Sequence, residues 1–422
     1  MRAGGCMETG TSAGYLDQHN STIVRLTQGE APEGDSLLAQ LSVGTDFIGD
    51  FLRDRYLREF LPAGGSKIKF LTGQPGSGKT HTLHMISMMA RQEGFVTIRF
   101  SARNTWLHDF KEIYLEILRQ SDLDALLASC SRIIIESLGF DPNDIPEGTT
   151  FIDYLGQRGQ GDALTRREIR LQLRKLFMDN KLLDNNFALA CSLLCGGMLG
   201  HPFLENQSRM TLLGWLHGDK SIKLAALRPL GLSASRVTKF NARHMLRSLS
   251  EVVRFSGHKG LLVCIDNLEV LVDKSSLNPM HYTKMKRDDT YESFRQLIDD
   301  IDNFRNIMFL MAFDKALLDN ENTGIKSYQA LWMRIQNEIT SDRINRFSDI
   351  LDLDAVALQV YSPQMLVEMS RKLAQVVNGI EVQAQPIDER KAMEVLRMAR
   401  LGGASIPRLV NRMTMETTGG AS

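Results

Sequence analysis

The chain has 422 residues, with 50 Lys and Arg set against 50 Asp and Glu, 43% hydrophobic and 24% charged. This composition excludes a mostly disordered chain, a collagen and a coiled-coil rod. Zero net charge excludes a protein that finds nucleic acid by bulk charge, while a local basic groove stays open.

The first 40 residues are rich in Gly, Ser, Thr and Gln, lack periodicity and read as a flexible segment with one short extended piece at 22–26. Between 45 and 61 apolar residues recur at helical spacing, and Pro62 with the two glycines after Ala63 ends that helix. Residues 67–72 (KIKFLT) read as a buried strand, 81–91 as a helix and 95–100 (FVTIRF) as a second strand. A helical stretch then runs from Trp106 to about 225, broken at Asp141–Pro142, Pro146 and His201–Pro202. Its apolar run at 187–200 is shorter than the ~20 residues that span a bilayer, so it reads as a buried helix and no membrane contact is expected. A third strand falls at 261–265, a fourth at 307–312 and a short fifth within 350–358, followed by amphipathic helices over 362–415.

The N-terminus lacks the apolar stretch of a signal peptide, and Cys6, Cys130, Cys191, Cys195 and Cys264 make no disulfide framework. Cys191 and Cys195 lie one turn apart with no second pair at zinc spacing, which is a core pattern. The expected location is the cytoplasm. Trp106, Trp215 and Trp332 sit in helical patterns and read as core.

Strands alternating with helices imply an α/β fold with a parallel sheet covered on both faces. The expected division is a flexible segment 1–40, an α/β core in two parts, 41–125 and 231–358, a helical insertion 126–230, a helical lid 359–415 and a tail 416–422.

The segment GQPGSGKT supplies Gly73, Gln74, Pro75, Gly76, Ser77, Gly78, Lys79 and Thr80, the full G-x-x-x-x-G-K-[ST] pattern between a strand and a helix. Glycines let the backbone curl its N–H groups around phosphate, and the helix adds its positive end. Lys79 would reach the β- and γ-phosphates of ATP, and the Thr80 hydroxyl would hold Mg²⁺. His81 follows directly at the helix start.

The third strand ends in LLVCIDNLE, which makes Asp266 the candidate Mg²⁺-side acid. The next position, often a glutamate base in such ATPases, is Asn267. Two readings stay open: Glu269 supplies the base, or Asn267 only positions water and hydrolysis is slow, since an amide takes no proton near neutral pH. Asp314, at the end of the fourth strand, is a γ-phosphate sensor candidate or, more in keeping with its type, a turn cap. Arg343 and Arg346 precede the fifth strand, where an arginine can reach a neighbouring subunit's nucleotide. Arg408 opens a late helix after Pro407 and can cross from a lid to the nucleotide.

Residues 165–177 (TRREIRLQLRKLF) carry Arg166, Arg167, Arg170, Arg174 and Lys175 against Glu168 alone. Helical spacing puts several on one face, which is either a solvated surface or a track for a phosphate backbone. Lys284, Lys286 and Arg287 read as a solvated loop.

The long separation between Lys79 and Asp266 requires a helical insertion. The chain resembles the ATP-binding proteins of bacteriophage-exclusion (BREX-type) defence systems, a branch of the AAA+ and initiator-like ATPases. The resemblance rests on GQPGSGKTH at 73–81, the stretch 215–231, NARHMLRSLSEVVRFSGHKGLLVCIDNLEVL at 241–271, YESFRQLIDD at 291–300, YQALWMRI at 328–335 and IPRLVNR at 406–412. It implies an AAA+-type core with a C-terminal helical lid, assembly as a homo-oligomer, and work beside other defence-system proteins against foreign DNA, touched directly or through a partner. It implies ATP and Mg²⁺ at Lys79, Thr80 and Asp266, and a lid-sensor role for Arg408. The chain departs from the pattern at Asn267 and at Phe313–Asp314. Three functions stay open: an ATPase that assembles or remodels a protein–DNA complex, an ATP-gated switch with little turnover, and a DNA-loading or target-selecting ATPase.

Overall fold

Alternation along the strands builds two cores at once. In a computed structural model, residues 24–26, 29–32, 34–160, 163–275, 278–335, 344–378, 384–402 and 404–416 are described. Five strands form one sheet: β1 (Ser66–Gly73), β2 (Val96–Ser101), β3 (Leu261–Asp266), β4 (Ile307–Asp314) and β5 (Ile350–Asp352). Their order is β2-β3-β4-β1-β5, and every pair is parallel. Ile68, Phe70, Val263, Ile265, Phe309 and Met311 face one core, while Leu71, Leu262, Cys264, Leu310 and Ala312 face the other. A strand apolar on both sides needs cover on both sides. The sheet order and the helices on its two faces are those of an AAA+-like P-loop fold, as expected.

One face is covered by the helices Asp46–Leu52, Lys79–Gln92 and Leu353–Val360. The first of these runs on as a π-helix to Phe60. The other face packs on Phe110–Gln120 and Ala242–Phe255 and shares its core with the helices between β2 and β3. Within that block, Asn185–Leu199 is capped by Asp184 and ended by left-handed Gly200. Cys191, Cys195 and Cys130 are fully buried there, as their spacing suggested. Trp215 is buried, its indole N–H donating to the Ser235 carbonyl at 2.7 Å. The helices Pro363–Val377, Glu389–Arg400 and Ile406–Met415 gather Leu366, Val395, Leu409 and Val410 into a smaller core of their own.

Several expectations need correction. Residues 24–26 are helical, and Asp35–Leu41 is a helix that buries Leu38 and pairs Asp35 with Arg91 at 2.6 Å. Two turns with one buried leucine are too short to show a period. Lys284, Lys286 and Arg287 open the helix Lys284–Asp299, capped by Thr283, with the Lys286 ammonium 3.8 Å above the Trp106 ring. Lys69, inside β1, is fully buried. Its Nζ donates to the carbonyls of Ser348 (2.6 Å), Arg346 and Phe347 (both 3.1 Å), tying the approach to β5 onto β1. Burial, with Lys67 nearby, lowers its pKa to about 8.

Candidate functional site

Because all five strands are parallel, their carboxyl ends share one edge. The register sets Gly73 beside Asp314, Ser101 beside Asp266 and Thr72 beside Asp352. In open α/β sheets this edge is where ligands bind.

The loop after β1 turns through left-handed Gly76 (φ 82°) and Gly78 (φ 89°) into the helix Lys79–Gln92. Only glycine takes that conformation without strain. At Gly76 space is also short, since an added Cβ would lie 2.8 Å from Arg408 Cβ. The Lys79 ammonium donates to the carbonyls of Gln74 (2.9 Å) and Gly73 (3.1 Å) and pairs with Asp314 at 2.5 Å. Asp314 makes no capping hydrogen bond with its side chain, so the turn-cap expectation is replaced by this ion pair. The Thr80 hydroxyl donates to Asp266 Oδ2 at 2.5 Å, and Asp266 Oδ1 accepts from the Asn267 N–H at 2.8 Å.

Asn267 is itself left-handed (φ 61°). Its side chain accepts from the Ser101 hydroxyl at 2.9 Å and donates to Glu269 Oε1 at 3.2 Å. The Glu269 carboxylate also takes the Arg103 guanidinium and the Asp314 N–H, each at 3.3 Å. Burial, then the Asp314 carboxylate, pushes the Glu269 pKa above its ordinary value despite the hydrogen bond from Asn267. Asn267 thus positions the acid two residues on.

The other expected residues are distributed around this cluster. Gln74 N–H donates to Asp354 Oδ2 at 2.7 Å, and the Pro75 carbonyl accepts from the Ser405 hydroxyl at 3.3 Å. Ser77 is buried at the loop. The Arg408 stem lies over Gly76, with its head exposed and unpartnered among the described residues. His81 faces the Ser42 hydroxyl at 2.9 Å, tethering the N-terminal helix to the helix after the loop. Arg346 is not brought to the site: its guanidinium stacks between Phe47 and Phe51 and donates to the Phe47 carbonyl at 3.2 Å. Arg343 lies outside the described residues.

Sequence reasoning missed Ser101, Arg103, Lys315 and Asp354. Lys315 bridges Asp352 (2.8 Å) and Asp354 (3.3 Å), so the carboxylate that holds Gln74 N–H is itself held. The one available signal was the spaced acids in LDLDA after β5.

The site fits a metal–nucleotide complex by its donors. The loop cradle is glycine where a side chain would collide, and Thr80 and Asp266 offer two oxygen ligands side by side. Among the described residues no group of three His, Cys, Asp or Glu could hold a metal alone. No helix among the described residues is long and apolar enough to cross a membrane.

Residues 17–414 match the family model described as BREX system ATP-binding protein BrxC/D. No curated protein and no solved structure matches significantly. The match covers most of the chain, so the chain belongs to this family.

Proposed function

We propose that the chain binds Mg²⁺–ATP at the strand tips and hydrolyses it with Glu269 as general base. The cycle would assemble or remodel a protein–DNA complex in phage defence, with the chain acting as a homo-oligomer beside other proteins of the system. The observation that carries this reading is the convergence of Lys79, Thr80, Asp266 and Glu269 on one edge from separate elements. Lys79, released from Asp314, neutralises phosphate oxygens. Thr80 and Asp266 would hold Mg²⁺, which would supply charge neutralisation at the phosphates. Glu269, with its raised pKa, is suited to accept a proton from water near neutral pH. Arg408, exposed above Gly76, supplies a positive charge from the lid side.

A second reading, an ATP-gated switch with slow turnover, is supported by the restraint on Glu269. Arg103, Asn267 and the Asp314 N–H all occupy its oxygens. Steady-state ATPase rates with and without double-stranded DNA separate the two, with oligomer size followed by light scattering. DNA-stimulated turnover supports the first. Tight ATP binding and assembly with negligible turnover supports the second, and absence of ATP binding removes both.

A further inference from the structure

A second surface of unsatisfied charge lies on the block between β2 and β3. The helix Ala163–Leu173 continues through a π-helical turn, Arg174–Met178. Ile169, Leu173 and Phe177 are buried on its inner side. Arg166, Arg167, Arg170 and Lys175 are exposed, and none has an ion-pair or hydrogen-bond partner among the described residues. Some exposed arginines on other helices have partners, Arg119 with Glu116 and Arg371 with Glu368, while Arg397 and Arg400 on Glu389–Arg400 have none among the described residues, so the mark of this segment is four such cations within ten residues. Cations crowded on one helix repel one another. Folding gains nothing from that repulsion, so a ligand outside the chain accounts for it better than stability does.

The same helix borders an open depression of about 520 Å³. Arg170 and Arg174, one turn apart, flank it, and Leu173, Met178, Ser192 and Pro202 contribute walls. Arg174 is held by Asp179 at 3.1 Å, which leaves Arg170, among the described residues, as the free cation at the cavity. Beyond Pro202, Phe203 stands 82% exposed. His201 shows the local field: burial, then Arg170 and Arg166, lower its pKa.

We propose that this surface binds single-stranded nucleic acid, with Arg166, Arg167, Arg170 and Lys175 on phosphates and an unstacked base in the cavity beside Arg170. Flat guanidinium groups, apolar walls and an exposed phenyl ring match the faces of bases, which an acidic peptide does not offer. A duplex must first unpair and unstack a base to place it there, which a single strand need not do. The proposal deepens the protein–DNA reading above and rests on its nucleic-acid half, without needing ATP.

The test is fluorescence anisotropy of the full chain across a salt series, without nucleotide. The probes are a labelled single-stranded DNA of about 20 nucleotides, the matching RNA, the duplex and poly-glutamate. Single strands should bind more tightly than duplex or poly-glutamate, and the tighter of DNA and RNA names the source. With four contacts, log K should fall against log salt with a slope of about −3. Arg166→Glu with Arg170→Glu should weaken binding at least about 10-fold and flatten the slope. Phe203→Ala should weaken it about 5-fold or more and leave the slope unchanged. Lys79→Ala should bind as wild type, so a failure at the ATP site is read separately. Unchanged affinity in the double arginine variant overturns the proposal, as does poly-glutamate or duplex binding as tight as the single strand. Arg166, Arg170 and Phe203 are exposed, and a matched thermal melt checks the fold of every variant, that of the buried Lys79 included.

Discussion

The strand-tip edge and the outer face of the helix Ala163–Leu173 handle charge in opposite ways. At the tips Lys79 meets Asp314, Lys315 bridges Asp352 and Asp354, and Arg103 meets Glu269. On the helix and the turn that continues it, Arg166, Arg167, Arg170 and Lys175 meet no partner among the described residues. Internal pairing holds groups in place before a ligand arrives, and a ligand must displace an internal partner to bind. Bare cations attract a ligand without that competition, at the cost of strong dependence on salt.

The largest effect is expected at the paired edge. Lys79→Ala removes the one buried cation of the loop and should cut ATP affinity by more than about 100-fold in equilibrium binding, since a charge-assisted phosphate contact in a sheltered site is worth several kcal/mol. Retained affinity would move the nucleotide elsewhere and dissolve the comparison. Next comes Gly76→Ala. It forces a side chain into φ 82° and against Arg408. A strain of about 1–3 kcal/mol should appear as weaker ATP binding and a lowered melting temperature. An unchanged protein would mean the lid does not press on the loop.

A smaller effect is expected at Asn267. Asn267→Ala removes the link from Ser101 to Glu269. Turnover should fall by about 10-fold, roughly 1.4 kcal/mol, while ATP affinity stays constant. Equal loss of both would assign Asn267 to binding.

The smallest effect is a pH dependence. Burial, then His84, holds the His81 pKa at about 4. An unfolded imidazole titrates near 6.5, so between those values the unfolded chain binds more protons and stability falls as pH is lowered. Wild type should lose about 1 kcal/mol more than His81→Gln between about pH 6.5 and about pH 5. Parallel curves from urea melts would contradict the burial of that ring.

The contrast between regions also marks what the sequence made legible. The loop of Gly73, Gly76 and Gly78 with Lys79 and Thr80 stood out because its motif has a fixed local spacing, and Asp266 because an acid follows an apolar strand. The strands were readable because each is a short apolar run. Ser101, Arg103, Lys315 and Asp354 were not, because their partners lie across strands whose pairing no local pattern encodes. Lys69 looked like an ordinary alternating strand residue, and its three carbonyl partners come from a loop far along the chain. Asp314 was read from its residue type as a turn cap, and only the register with Gly73 brings it to Lys79.

The central claim is that Glu269, held at the strand tips by Asn267 and Arg103, does the chemistry for the nucleotide held by Lys79. Single-turnover ATP hydrolysis by wild type and Glu269→Gln, with ATP binding measured in the same samples, tests it most directly. The account predicts equal binding and a rate at least about 100-fold lower in the variant. Equal rates at equal binding would contradict it.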